Sequence, residues 1–303
     1  MDAITVTDLV RGYGTVRAVD GVSFTVGHGE IFALLGPNGA GKTTTVEILE
    51  GFRTRDSGEV RVLGQDPATG GRGLRERIGI VLQSAGFEEE FTVRELLRLQ
   101  AALYPRRHDP DELIGLVELT DKRNTRVKAL SGGQRRRLDL ALGLVGAPEL
   151  LFLDEPTTGF DPAARHRAWA LIGRLRDLGT TVLLTTHYLE EAQELADRVA
   201  VLRSGQLVAI GSPDELRGNG GAPATICFTL PAGVDPGDLP SLSGQTHTGG
   251  HTTRVRTHAS VVDLQTLTGW AIDAGHDLDD LTVSPPTLEE AYLELTGEAG
   301  HDR

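Results

Sequence analysis

Residues Gly36-Pro-Asn-Gly-Ala-Gly-Lys42-Thr43-Thr44 decide how this chain is read. An apolar run, Ile31-Phe-Ala-Leu-Leu35, precedes them and Thr45-Val-Glu-Ile-Leu-Glu50 follows, so the order is strand, glycine loop, helix. A phosphate-binding loop needs that context. Gly36, Gly39 and Gly41, spaced by Pro37, Asn38 and Ala40, let the backbone curl until successive N–H groups point inward. The helix opening at Thr43 and Thr44 adds its positive dipole end. Lys42 can then reach the β- and γ-phosphates of a nucleotide, and the Thr43 hydroxyl can hold Mg²⁺. The plain alternative is a glycine-rich turn before an ordinary helix. With only three lysines in 303 residues, and a strand directly upstream, chance assembly of the pattern is a poor explanation.

The rest of the composition bounds the setting. A chain of 303 residues has room for one large domain and one small one. No apolar run approaches the ~20 residues of a membrane span, and Met1-Asp-Ala lacks a signal peptide's basic start. The expectation is a cytoplasmic protein that meets a membrane only through a partner. The single cysteine, Cys227, has no intrachain mate, which agrees with a reducing compartment. A net charge of −13 repels a polyanion on average, so no nucleic-acid partner is expected.

Upstream of the loop, Ile4–Val10 alternates in period two and Val22–Val26 is strand-like, with Arg11-Gly12-Tyr13-Gly14 between them. Tyr13 is either an exposed turn residue or a platform for an adenine ring. Downstream, Gly58–Gly64 reads as a strand with a turn, and Ile78–Leu82 as a buried strand ending in Gln83. That end is where α/β folds place ligand groups. Residues 84–128 read as a helical insertion: a loop with Phe87, Glu88–Glu90 and Phe91, then a helix capped by Thr92 through Leu103, then one over Asp111–Leu119.

Ser131 is a good N-cap, and Gly132 and Gly133 bare the N–H groups of a helix that continues through Gln134. This is a second anion site, which one nucleotide in one subunit does not need. The triplet Arg135-Arg-Arg137 reads as a solvated or acid-paired helix face in preference to a nucleic-acid contact. Leu150–Leu153 is an apolar strand ending in Asp154-Glu155. Asp154 is placed to bind Mg²⁺ through water and Glu155 to polarise an attacking water. Asp161-Pro162 opens a helix, Thr181–Thr186 is a buried strand ending in His187, and Val199–Leu202 with Gln206–Ile210 reads as a hairpin.

Gly218–Pro223 marks a boundary. Beyond it come a strand at 224–230, a loop-rich stretch at 231–251 and a strand at 252–257. A helix over Ser260–Ala274, a strand at 279–283 and a helix over Thr287–Leu295 complete a small α+β domain. His247, His251 and His258 lack the cysteines and spacing of a metal site.

The ordered set Tyr13, Gly36–Thr44, Gln83, Leu130–Gln134, Asp154-Glu155, Asp161 and His187 resembles the ATP-binding-cassette ATPase domain. The resemblance covers residues 1–217. It implies an α/β P-loop NTPase core with an antiparallel β subdomain and a helical subdomain at about 84–146, followed by the accessory domain 218–303. It further implies ATP and Mg²⁺ as ligands, with Tyr13 on the adenine and Gly36–Thr44 on the phosphates. Thr43, Gln83 and Asp154 would serve the Mg²⁺ shell, with Glu155 as the general base and His187 on the γ-phosphate. Ser131, Gly132, Gly133 and Gln134 would complete the site of a second copy in an ATP-bound, head-to-tail homodimer, with Asp161 also at the nucleotide. Phe160 stands where the family usually has leucine. The stretches Ile210–Leu216 and Pro286–Leu293 look like ATPase subunits of bacterial multidrug or antibiotic exporters of the daunorubicin-resistance type. Their channel is a separate permease, so the chain would lie on the inner face of the membrane.

The expected docking face for that permease is 84–104, because the segment after Gln83 must shift when a γ-phosphate arrives or leaves. Phe87 and Phe91 would anchor, and Glu88–Glu90 would steer. Other readings use the same site: a soluble cassette ATPase acting on DNA or ribosomes, a nucleotide sensor without turnover, or an importer ATPase. One cassette, no sustained heptads and an acidic balance count against the first, and the presence of Glu155 and His187 against the second.

Overall fold

The computed structural model describes every residue except Met1, 83–85, 87, 220–221, 232 and 297–303. The chain separates into two compact units, Met1–Pro213 and Asp214–Arg303.

The first unit begins with β1 (Ile4–Tyr13) and β2 (Val16–Val26), a long antiparallel pair. Both run further than their apolar alternation predicts, because the extra residues are half-exposed and held by the ladder rather than by burial. Then follow β3 (Ile31–Leu35), α1 (Lys42–Leu49), β4 (Ser57–Val62), α2 (Gly71–Arg75) and β5 (Ile78–Val81). The helical segment comprises α3 (Val93–Ala101), α4 (Pro110–Leu116) and α5 (Gly132–Leu144). Thr92 caps α3 in a reciprocal box with Glu95. The unit continues with β6 (Leu150–Asp154), α6 (Pro162–Asp177), β7 (Thr181–Thr186), α7 (Leu189–Leu195), β8 (Arg198–Arg203) and β9 (Gln206–Gly211).

Two sheets result. The small one, ordered β2-β1-β4, is antiparallel. The large one is ordered β5-β6-β7-β3-β8-β9, parallel except for the terminal β8-β9 hairpin. Strands β3, β6 and β7 are almost wholly buried because both faces are covered, as parallel sheets require. Phe24 of the small sheet stacks on Phe32 of the large one at 5.3 Å, inside a shared core. Because β3, β7 and β6 are parallel neighbours, their carboxyl ends lie along one edge. Leu35 pairs with Thr186 and Asp154 with Thr185. That edge is the site.

Helix α8 (Pro213–Asn219) spans the division between the units. The second unit holds β10 (Ala224–Thr229), β11 (Gln245–Gly249), β12 (Thr252–Thr257), α9 (Ser260–Ala274), β13 (Thr282–Ser284) and α10 (Leu288–Thr296). Its antiparallel sheet is ordered β11-β12-β10-β13. Leu267 of α9 packs against Ile226, Phe228 and Val255 on one face of it. β11 lies inside the stretch read as loop. Its residues Gln-Thr-His-Thr-Gly carry no apolar alternation, since this edge strand is mostly exposed and held by pairing with β12.

Among the described residues, no helix is long and apolar enough to cross a membrane.

Candidate functional site

The loop after β3 closes on its neighbours too tightly for side chains. Gly41 sits at φ 102°, and a Cβ there would lie 2.3 Å from the Ala18 carbonyl oxygen. A Cβ on Gly36 would meet the Leu202 carbonyl oxygen at 2.4 Å. Both approaches press the loop against β2 and the end of β8 and fix its curl. The Lys42 ammonium folds back over the loop, donating to the carbonyls of Gly36 at 2.7 Å and Pro37 at 3.2 Å. Burial pulls its pKa down, while Glu155 and Asp154 pull it back up. A cavity of about 580 Å³ opens here, walled by Tyr13, Asn38, Lys42, Thr43, Thr44 and Glu155 among others. The volume suits a nucleotide-sized ligand.

Tyr13 is placed at this cavity from the small sheet. Asp56 holds the approach, accepting from the Gly12 N–H and from Arg11, each at 2.7 Å. Those bonds, with the Gly12 N–H foremost, keep the Asp56 carboxyl below its ordinary pKa. The Arg11 and Arg53 guanidiniums lie 5.0 and 5.6 Å from the Tyr13 ring centre, so two cations face the ring.

The acidic pair at the end of β6 is held from both sides. Thr185, fully buried on β7, donates its hydroxyl to Asp154 Oδ1 at 2.6 Å and accepts the Glu155 N–H at 3.0 Å. Glu155 takes a left-handed backbone, φ 45°, which turns its side chain out of the strand register. Its Oε1 lies 3.2 Å from His187 Nδ1 and 4.0 Å from the Lys42 ammonium, and its Oε2 accepts from Thr158 at 3.1 Å. Lys42, Asp154, Glu155 and His187 are therefore one constellation. Thr43 supplies an exposed hydroxyl beside it. A hydroxyl and a carboxylate are oxygen donors of the kind a hard cation such as Mg²⁺ takes, so the residues present fit that ion.

Other expected residues lie elsewhere. Ser131 caps α5, accepting the Gln134 N–H at 3.3 Å, while the Gln134 side-chain oxygen accepts the Ser131 N–H at 2.9 Å. Asp161 caps α6 through the Ala164 N–H at 2.8 Å. Ser131, Gly132, Gly133, Gln134 and Asp161 do not wall the cavity that holds Lys42. Gln83 and Phe87 lie outside the described residues.

The arginine triplet divides by direction. Arg135 pairs with Glu89 at 3.1 Å and Arg137 with Glu118 at 3.3 Å, the acid-paired face expected. Arg136 instead turns inward. It donates to the backbone carbonyls of Asp154 at 3.1 Å, Glu155 at 3.3 Å and Pro156 at 3.2 Å, and also to that of Leu82. Sequence reasoning missed this residue, as it missed Thr185 and Asp56. Each acts through a partner at least 18 residues away, which no local pattern encodes.

The ABC transporter family profile matches residues 19–158, and that of the C-terminal domain of ABC transporter domain-containing protein-like chains matches 224–287. The daunorubicin resistance ATP-binding protein DrrA3 of Streptomyces coeruleorubidus is 40% identical over 305 residues, covering 98% of this chain and 96% of its own. The daunorubicin/doxorubicin resistance ATP-binding protein DrrA of Streptomyces peucetius is 45% identical over 73% of this chain and 68% of its own. The Nod factor export ATP-binding protein I of Rhizobium etli is 38% identical over 98% and 94%. A solved ATP-binding subunit of an ABC transporter superposes with a TM-score of 0.63 at 30% identity, covering 72% of this chain and 93% of that one.

Proposed function

The chain belongs to the ATP-binding-cassette family of transporter ATPases, and from that premise we propose that it powers export of a drug-like or antibiotic molecule through a separate membrane permease. The observation that carries the catalytic part is the placement of Lys42, Asp154, Glu155 and His187 around one phosphate loop. Glu155 is the base: its carboxylate takes the proton as water attacks the γ-phosphorus and ADP leaves. His187, already 3.2 Å from Glu155, orients that carboxylate and reaches the γ-phosphate. Mg²⁺, held by Thr43 and Asp154 with Gln83, would neutralise charge on the phosphate oxygens. Tyr13 carries the base of the nucleotide.

The export part rests on relatives. Proteins named for daunorubicin resistance and for Nod factor export align over nearly the whole of this chain, second unit included. The homodimer reading draws on α5. A Cβ on Gly132 or Gly133 would meet nothing within 4 Å among the described residues, so no described neighbour demands glycine there. Bare N–H groups at an open helix start suit a phosphate brought by a second copy.

Permease docking on the helical segment is supported by exposed Phe91, Leu99 and Leu103. A groove of about 250 Å³ is walled by Gln100 of this segment with Tyr104, Phe52 and Ile80. Glu89 and Glu90 are engaged within the chain, by Arg135 and by Arg126 and Lys128, so steering falls to Glu88. The test is reconstitution with a candidate permease, sought among membrane proteins encoded by neighbouring genes. MgATP hydrolysis should rise when the two are combined, and cells carrying both should lose an amphipathic drug faster than cells carrying either. A pair that hydrolyses ATP normally but moves drug only inward would sink the export assignment.

A further inference from the structure

The second unit is strongly acidic: residues 214–303 carry fourteen acidic side chains against four arginines. Two of those four, Arg254 and Arg256, stand two residues apart on β12, both exposed on the sheet face opposite the buried Val255. Neither has a side-chain hydrogen bond or ion pair among the described residues, despite the surplus of acids. Exposed arginines without a partner are ordinary on a protein surface, but these two line one cleft, and a pair of guanidiniums there suits an anion from outside.

The surroundings form a cleft rather than an open face. In the sheet register Arg256 lies between Gln245 and Thr225, and Arg254 lies between His247 and Cys227. Thr287, Glu290 and Leu293, spaced by three along α10 and its cap, supply the facing wall. The cleft has a volume of about 750 Å³, within the range of small-molecule sites. The Glu290 carboxylate accepts the Thr287 N–H at 2.8 Å and hydroxyl at 3.1 Å, which fixes it as an acceptor on that wall.

We propose that this cleft binds a soluble phosphorylated polyol or sugar. Two guanidinium forks match a phosphomonoester in charge and in the number of oxygens they can bind. Gln245, Thr225 and Glu290 offer hydrogen-bonding partners for hydroxyl groups on the rest of the molecule. The same charge balance speaks against a lipid headgroup, because an anionic membrane would repel the surrounding acids.

The test uses the full chain carrying Lys42→Ala, which removes the phosphate loop's cation and leaves the cleft intact. Glucose 6-phosphate and glycerol 3-phosphate are titrated by calorimetry, with glucose as the unphosphorylated control. At least one phosphate should bind and glucose should not. Arg254→Gln with Arg256→Gln should weaken binding by about tenfold or more, and the paired lysine variants, which keep charge but lose the fork, should fall between. Hydrogen exchange on the chain with native arginines should show ligand protection in 245–257 and 287–293, a readout independent of whether the glutamine variant folds. The proposal is overturned if neither phosphate binds, if the glutamine pair binds as tightly, or if protection falls elsewhere. Arginine-dependent capture on phosphatidylglycerol vesicles would overturn the soluble ligand in favour of a membrane.

Discussion

The Arg136 guanidinium donates to the Glu155 backbone carbonyl at 3.3 Å, tying the helix that begins at Ser131 to the loop carrying the acidic pair. Asp139, one turn further on, lies 3.7 Å from the same guanidinium. Burial raises the Asp139 carboxyl to about 6 against the opposing pull of Arg136, and burial also lowers the Arg136 pKa. The pair is therefore costly to split. Arg136→Met should destabilise the chain by about 3–5 kcal/mol, since it strands a buried carboxylate and several carbonyls. Adding Asp139→Leu should restore part of the urea midpoint. ATP hydrolysis should stay low in the double variant, because the carbonyls around Asp154 and Glu155 still lack their donor. Full recovery of turnover would show that Arg136 serves packing alone.

Glu155→Gln should keep MgATP binding and lose hydrolysis by about a hundredfold or more. Glutamine can still hold a water and still face His187 and Thr158, but it cannot accept the proton. ATP should then hold the variant as a dimer, visible as a shift to twice the mass in size-exclusion chromatography with light scattering. Near-normal phosphate release would rule Glu155 out as the base.

Glu50 gives the chain a pH dependence with a definite sign. It ends α1, 6% exposed, and burial raises its carboxyl to about 8, with the charges of Asp154 and Glu47 adding to the shift. The folded chain thus keeps a proton that the unfolded chain releases above about 4.5. Its contribution to stability is fully present below that pH and is lost as pH rises towards 8, by up to roughly 1.4 kcal/mol per pH unit. Nucleotide-free Glu50→Gln, which mimics the protonated form, should show a flatter stability curve between pH 5 and 8 by urea unfolding. Parallel curves for the two proteins would remove Glu50 as the source.

Much of this site is legible in the sequence because its residues end or follow a buried strand. Gly36–Thr44 follow Leu35, Asp154-Glu155 end Leu150–Leu153, and His187 follows Thr186, so strand recognition alone delivers them to the sheet edge. Ser131 and Thr92 were legible as caps because a cap is set by residues three positions apart. Arg136 was not, since its two neighbours of the same type point to acids on the surface and only helix phase against β6 turns it inward. Thr185 looks like any β-branched strand residue until its partner strand is known. β11 escaped because pairing, not burial, makes it a strand.

The prediction that separates one-chain from two-chain catalysis concerns Ser131. Within one chain, Ser131, Gly132 and Gly133 are absent from the walls of the Lys42 cavity, and among the described residues the two glycines face no neighbour that excludes a side chain. If this helix start acts on the nucleotide of a second copy, Ser131→Arg places bulk at the joint and removes the cap on the Gln134 N–H. The lost cap should cost about 1 kcal/mol, which lowers the melting temperature only slightly. ATP binding by the monomer, measured by fluorescence of a labelled nucleotide, should stay within about twofold, since affinity there depends on Lys42 and its loop. Hydrolysis should be abolished. Mixing Ser131→Arg with Lys42→Ala gives heterodimers in which one nucleotide meets both an intact loop and an intact Ser131, while the other meets neither. Turnover should then return to at most one working site per dimer, although each variant alone is inactive. Loss of monomer binding in Ser131→Arg, or no recovery on mixing when heterodimers form, would place the helix in service of its own chain.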